Sequence, residues 1–256
     1  MPPRPYVLKE ANYRQALDNR PQVAILPWGA TEAHNMHLPH GTDFIQAESI
    51  ANEAAGLAFE QGVKAVALPP IPFGNNAQQM DQVATIHIRT DTAKAILKDV
   101  VTSLKHQGID RLVLLNAHGG NDFKPIIRDI QLEHDILIAL VNFWQLVPAD
   151  VTDIFDDPGD HAGELETSLL MHLCPQWVCF DQAGPGDRVP FEIPGISQPG
   201  VWSPRPWNLS HPDTGSGDPK ASTAEKGERY FKVLTESVAK LLIGLAKAEK
   251  GQLPYI

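Results

Sequence analysis

The chain of 256 residues holds only two cysteines and no run of about eighteen apolar residues, and each shortage excludes a class of protein. Cys174 and Cys179 have four residues between them, around Pro175 and Trp177, so they form neither a CxxC redox pair nor half of a zinc finger. They read as free, buried thiols. The segment "MPPRPYVLKEANYRQALDNR" lacks the apolar core of a secretory signal, and no stretch is long enough to cross a membrane. The cytoplasm is the expected compartment. Positive charge is scarce as well: 21 Lys and Arg stand against 31 Asp and Glu, a net charge of -10, without any basic run. A nucleic-acid or anionic-membrane partner needs a basic face to displace counterions, so neither is expected. Neither GxGxxG nor a Walker pattern occurs, which argues against a nucleotide site.

What is present is the composition of a globular protein, 43% hydrophobic and 20% charged, and long enough for a large core. Apolar segments of strand length, 23–27, 63–69, 111–116 and 136–144, are nearly unbroken by polar residues, as strands covered on both faces should be. Between them, 43–62, 90–108 and 121–135 carry apolar residues at three- and four-residue spacing, and Gly62 and Gly108 suit helix C-termini. Repeated β-α-β predicts an α/β protein with a doubly wound, mostly parallel sheet flanked by helices. Beyond Trp144, 161–173 reads as a short helix, and 175–220 as an irregular tract rich in Pro, Gly and Trp. The segment 222–250 reads as a long amphipathic helix opened by a capping box, Ser222 to Glu225. No repeat or low-complexity linker divides the chain, so 1–256 is expected to form one domain.

Three of the ten histidines fall within "WGATEAHNMHLPHGTD", residues 28–43, at the end of the first strand. A second polar cluster, "NAHGGND" (116–122), follows the third strand in the same way. In open α/β sheets that edge is where ligands bind. Glu32, His34, Asp43 and His118 would converge there, with "GDHAGELETS" (159–168) adding carboxylates and His161. Such a mixed carboxylate and imidazole set suits zinc, manganese or iron rather than copper(I). Glu32 and His34, two apart in an extended segment, point to one side, and an Asp can bridge two cations. Simpler readings stand beside this one. Asp43 could cap its helix, His37 and His40 could tie down the loop, and "HGGN" could be a tight turn or a weak anion-binding loop.

"LPWGATEAHNMHLPHGTD", "NAHGGN", "HAGELETS" and "GDPKASTAEKG" occur in the order and approximate spacing of the creatininase, or creatinine amidohydrolase, family, which the chain resembles from about Ala24 to Gly227. The resemblance implies a parallel α/β fold, a dinuclear metal site, an oligomer, commonly a hexamer, and a small-molecule substrate cleaved at a carbon–nitrogen bond. By motif, Glu32 would bind one metal and His34 the other, with Asp43 between them. His118 would join Glu32, and Glu166 would join His34. Glu164, two residues earlier on a helix, faces elsewhere. His161 matches the family's proton-transfer histidine, and Asp160 takes the place of a second acidic group. Where creatininase has a metal-binding Glu two residues after the motif histidine, this chain has Gly120, so creatinine is not the expected substrate.

The expectation is therefore an amidohydrolase with two divalent ions, zinc foremost and manganese or iron otherwise. Its nucleophile is a hydroxide shared by the metals, acting on a non-peptide C–N bond in an amide, cyclic amide or formamide. Trp202 and Trp207 either wall its pocket or pack a subunit interface. A hydrolase of sugar- or polyol-derived substrates, or a metal-binding subunit without turnover, would use the same ligands.

Overall fold

The computed structural model describes residues 2–249. Its order is α1 (Tyr13–Asp18), β1 (Val23–Trp28), α2 (Thr42–Glu60), β2 (Ala65–Ala67), α3 (Thr90–His106), β3 (Arg111–Asn116), α4 (Phe123–Glu133) and β4 (Leu137–Asn142). There follow α5 (Pro148–Ile154), α6 (Glu164–Leu173), α7 (Trp207–Ser210) and α8 (Ala224–Lys247). The sheet runs β2-β1-β3-β4 and every pairing is parallel. Alternate side chains of one strand go to opposite faces. Val113 and Leu115 enter a layer with α2, α6 and α8, whereas Leu112 and Leu114 enter a layer with Leu97 and Val101 of α3 and Ile126 and Ile130 of α4. Helices therefore cover both faces of a single α/β domain, as the unbroken apolar strands predict.

The differences from the sequence reading have local causes. The second strand shrinks to Ala65–Ala67, and its outer edge is covered by the N-terminal segment: Leu8 N–H donates to the Ala67 carbonyl and Ala67 N–H to that of Tyr6. The fourth ends at Asn142 in a 3-10 turn over Phe143–Gln145, and as an edge strand it is only partly buried. The helix expected from residue 161 begins at Glu164, because Ala162 takes a left-handed conformation (φ 51°). Thr223, not Ser222, caps α8, its side chain accepting from Lys226 N–H, and Lys250 lies outside the described residues. Gly62 and Gly108 have the positive φ their helix ends require, 79° and 83°. Cys174 and Cys179 are free, but only Cys174 is buried. The tract 175–220 is mostly irregular, with α7 and short 3-10 turns in it. Among the described residues, no helix is long and apolar enough to cross a membrane.

The chain goes from β1 through α2 on one face to β2, then through α3 on the other face to β3 on the far side of β1. The loops leaving β1 and β3 consequently diverge to opposite faces and open a crevice between their C-terminal ends. Both polar motifs hang over that crevice. Gly29 keeps it narrow: a side chain there would overlap the backbone of Asp43 and Phe44, so only glycine lets the start of α2 press against the end of β1.

Candidate metal centre

Glu32 and His34 come from the β1 loop, Asp43 from the first turn of α2, His118 from the β3 loop, and Glu166 from the first turn of α6. The first four are almost wholly buried, and Glu166 keeps 15% side-chain exposure. Their ligand atoms fall into groups in which all lie within 4.8 Å of one another: Glu32, Asp43 and His118 make one, and His34, Asp43 and Glu166 make another. Asp43 belongs to both. These are the two donor sets that the family resemblance implies. A third group, Glu32, His34 and His161, overlaps them.

Each imidazole spends one nitrogen on a main-chain carbonyl. His34 Nδ1 donates to Glu32 O (3.1 Å), His118 Nε2 to Asn75 O (3.1 Å) and His161 Nε2 to Ala33 O (2.8 Å). The other nitrogen of each then turns, without a proton in the neutral ring, toward carboxylates. His34 Nε2 lies 2.9 Å from Asp43 Oδ1, His118 Nδ1 lies 3.0 Å from Glu32 Oε1 and 3.2 Å from Asp43 Oδ2, and His161 Nδ1 lies 3.7 Å from Glu32 Oε1. Lone pairs facing carboxylates at these distances repel unless something positive sits between them. Burial would depress His34, yet Asp43, Glu166 and Glu32 push it up to about 10. His118 goes the same way: burial opposes it, but Glu32 and Asp43 raise it well above the ordinary range. Both shifts favour a positive charge among these carboxylates.

The carboxylates tell the same story. Burial pushes Glu166 up to about 7 against the pull of His34, whereas His34 and His118 hold Asp43 low against its burial. Glu32 Oε2 and Asp43 Oδ2 are buried without a hydrogen bond of good geometry, a costly state for an anion unless a metal takes the free lone pairs. The donor chemistry and these orphaned oxygens fit divalent cations.

Glu164 has another task. Its carboxylate accepts from Asp156 N–H (3.0 Å) and Asp157 N–H (2.9 Å) and pairs with Lys226 of the "GDPKASTAEKG" motif, which pins α6 to α8. His161 is depressed by burial and by His34, and so stays neutral. His37 is buried against the Thr167 hydroxyl (2.8 Å) and His40 Nε2 donates to Val83 O (3.0 Å), so both tie down the loop. Asp160 lines the cavity beside His161 but belongs to none of the three-donor groups: its Oδ2 accepts from Arg205 (3.2 Å) and lies 3.6 Å from Arg188.

A cavity of about 360 Å³ opens on Glu32, His118 and His161 and is walled by Asn75, Gln78, Gln79, Trp202, Arg205 and Trp207. Both tryptophans therefore line the pocket. Asn75, Gln78, Gln79 and Arg205 join the pocket without a motif that marks them. A polar run, "NNAQQ" (75–79), just past a strand end was the available signal for the first three. Arg205 had only its place between the two tryptophans.

The creatininase family model (creatinine amidohydrolase) matches residues 8–242. A mycofactocin precursor peptide peptidase of Mycolicibacterium smegmatis is 30% identical over 224 residues, covering 85% of this chain and 83% of that protein. The creatinine amidohydrolase of Pseudomonas putida is 24% identical over 240 residues, covering 85% and 87%. A Bacteroides fragilis structure, provisionally titled a creatinine amidohydrolase, superposes with a TM-score of 0.91 at 43% identity over 95% of this chain and 97% of that one. A structure titled "Creatininase Mn" shares the fold at a TM-score of 0.73 and 22% identity, over 93% and 97%. With its fold, its four motifs and nearly its whole length matched, the chain belongs to the creatininase family, whose members are metal-dependent hydrolases.

Proposed function

We propose that the protein hydrolyses a carbon–nitrogen bond of the amide type, in a cyclic amide, a formamide or a short peptide, with two divalent cations, zinc or manganese foremost. The observation that carries this reading is the pair of three-donor sets sharing Asp43 beside a cavity into which His161 projects. Relatives named as a creatinine amidohydrolase and as a peptide peptidase both break such bonds, and solved creatininases titled as manganese and Zn-Zn forms support those metals.

Glu32, Asp43 and His118 would hold one cation, and His34, Asp43 and Glu166 the other. Bound there, the cations would supply an acidified water as nucleophile and Lewis-acid polarisation of the scissile carbonyl. His161 takes up the proton at Nδ1, the nitrogen left bare by the bond from Nε2 to Ala33 O, and delivers it to the leaving nitrogen. The Trp207 ring, 4.9 Å away edge to face, holds the imidazole in place. Asp160 is a positioning residue, because it grips arginines rather than the reacting atoms. Trp202 at the pocket, with Ile193, Val201 and Leu209 exposed in the same tract, supports a homo-oligomer that covers this tract, as the family's hexamers would.

The test is elemental analysis of protein purified without chelator, followed by a screen of cyclic amides, formamides, short peptides and keto-sugars, with light scattering on the same sample. Between one and two equivalents of metal are expected. Less than roughly a tenth of an equivalent, with no uptake of added zinc or manganese, would sink the proposal.

A further inference from the structure

Among the residues lining the cavity, Arg205 carries the one guanidinium or ammonium group. Arg205 and Arg188 both address a single oxygen of Asp160, so two positive charges share one negative charge at the cavity wall. A guanidinium presents five N–H donors in a planar fork, and among the described residues Arg205 commits only one of its side-chain nitrogens, NH1, to a protein acceptor. The rest of the fork is free.

The fork is also held still. Its central carbon lies 5.1 Å over the Trp207 ring, and the main-chain N–H of Arg205 is tied to the side chain of Gln78, another residue of the lining. The same Trp207 ring touches the His161 imidazole. One indole therefore separates the proton-delivering group from a preorganised cation that keeps donors to spare. A planar fork of this kind matches a carboxylate with two parallel hydrogen bonds. Three carboxylates of the same lining oppose an anion, but Glu32 is turned to His118, Asp160 is paired with the two arginines, and Asp122 is exposed at the start of α4 and screened by solvent.

We propose that Arg205 is a specificity-determining residue that reads a carboxylate on the amine portion of the substrate. The bond cut is then an amide whose leaving amine bears a free carboxylate, as in an N-acyl amino acid. The choice of the amine side rests on the hydrolase reading above, since the proton from His161 goes to the leaving nitrogen. Recognition of a carboxylate by Arg205 does not depend on it.

Calorimetric titration separates the two. The probes are N-acetylglycine and N-acetylleucine, each with its carboxamide counterpart, added to zinc-loaded protein, to Arg205→Gln and to Arg205→Lys, with a thermal melt of each variant as a folding control. The carboxylates are expected to bind at least roughly tenfold tighter than the carboxamides. Arg205→Gln should abolish the preference and Arg205→Lys should keep part of it. Equal binding of the two forms, or no binding of either up to about 10 mM, overturns the proposal. So does a preference that survives Arg205→Gln, because the metals would then be attracting the carboxylate. Binding is read without turnover. A preference lost in Arg205→Gln, with no cleavage of any probe, supports Arg205 and counts against the amide reading alone.

Discussion

Asp43→Ala and His161→Ala remove buried groups from one small site, yet the structure gives them opposite consequences. Asp43 belongs to both three-donor sets, so on the proposed reading its loss would leave each cation with two protein ligands. Losing an outer hydrogen-bond partner of a ligand already costs roughly 10–100-fold in metal affinity, and losing a ligand from both sets must cost more. His161 lies farther out: its Nδ1 is 3.7 Å from Glu32 Oε1, against 3.0 Å for His118, and it faces the cavity. Its removal should leave both metals in place and lower kcat by the roughly 10²- to 10⁴-fold of a lost general acid or base, about 3 to 5 kcal/mol of barrier. The assay is metal content after dialysis, together with turnover of the best substrate found, before and after zinc is restored. Excess zinc should restore part of the Asp43→Ala activity and none of the His161→Ala activity, because the second variant lacks a proton carrier rather than a cation. If His161→Ala loses its metals while Asp43→Ala keeps both, the roles are reversed and His161 is a ligand within the Glu32, His34 and His161 group. If neither variant slows hydrolysis, the chemistry lies elsewhere.

Two further outcomes follow from the same geometry. A side chain at Gly120 would overlap the Asn75 carbonyl oxygen and His118 Nε2, so Gly120→Ala should break the bond that orients His118, costing about 1 to 3 kcal/mol of stability and roughly 10–100-fold in metal affinity. A thermal melt and a zinc titration check both, and an unchanged zinc affinity would refute the orienting role of Asn75. Zinc loading should release protons. His34, raised to about 10, and His118, raised well above its ordinary range, are protonated at pH 7 in the bare protein, whereas imidazole ligands must be neutral. Apparent affinity should therefore weaken as pH falls and stop improving only above about 10. Calorimetry in two buffers of different ionisation enthalpy should find more than one proton released per chain, and none released would contradict the reading of this site.

The fold was legible because strands buried on both faces read as unbroken apolar runs and helices repeat at their own period; 111–116 reads off directly as β3. The boundaries that moved depended on distant partners. The second strand was cut short where the N-terminal segment takes over its edge, and α6 starts late because the left-handed Ala162 turns His161 inward before the helix begins. Glu166 could be preferred to Glu164 from helical spacing and the motif. Only the structure shows why: Glu164 is occupied by Lys226, 62 residues later.

The residue types and spacings in "WGATEAHNMHLPHGTD" and "NAHGGND" determined which atoms are able to bind metal, since the carboxylates and imidazoles are local facts and a strand end beneath each motif follows from local periodicity. Tertiary structure decided that they meet. The crossovers from β1 to β2 and from β2 to β3 pass over opposite faces, and only that reversal opens a crevice where Asp43 can face His34 and His118 together. The same holds for Asp160 and Arg205, 45 residues apart on irregular segments either side of α6, with no repeating pattern to announce a pairing. Their contact depends on how the whole chain packs, because a loop side chain takes its neighbours from the elements it is pressed against rather than from its own sequence.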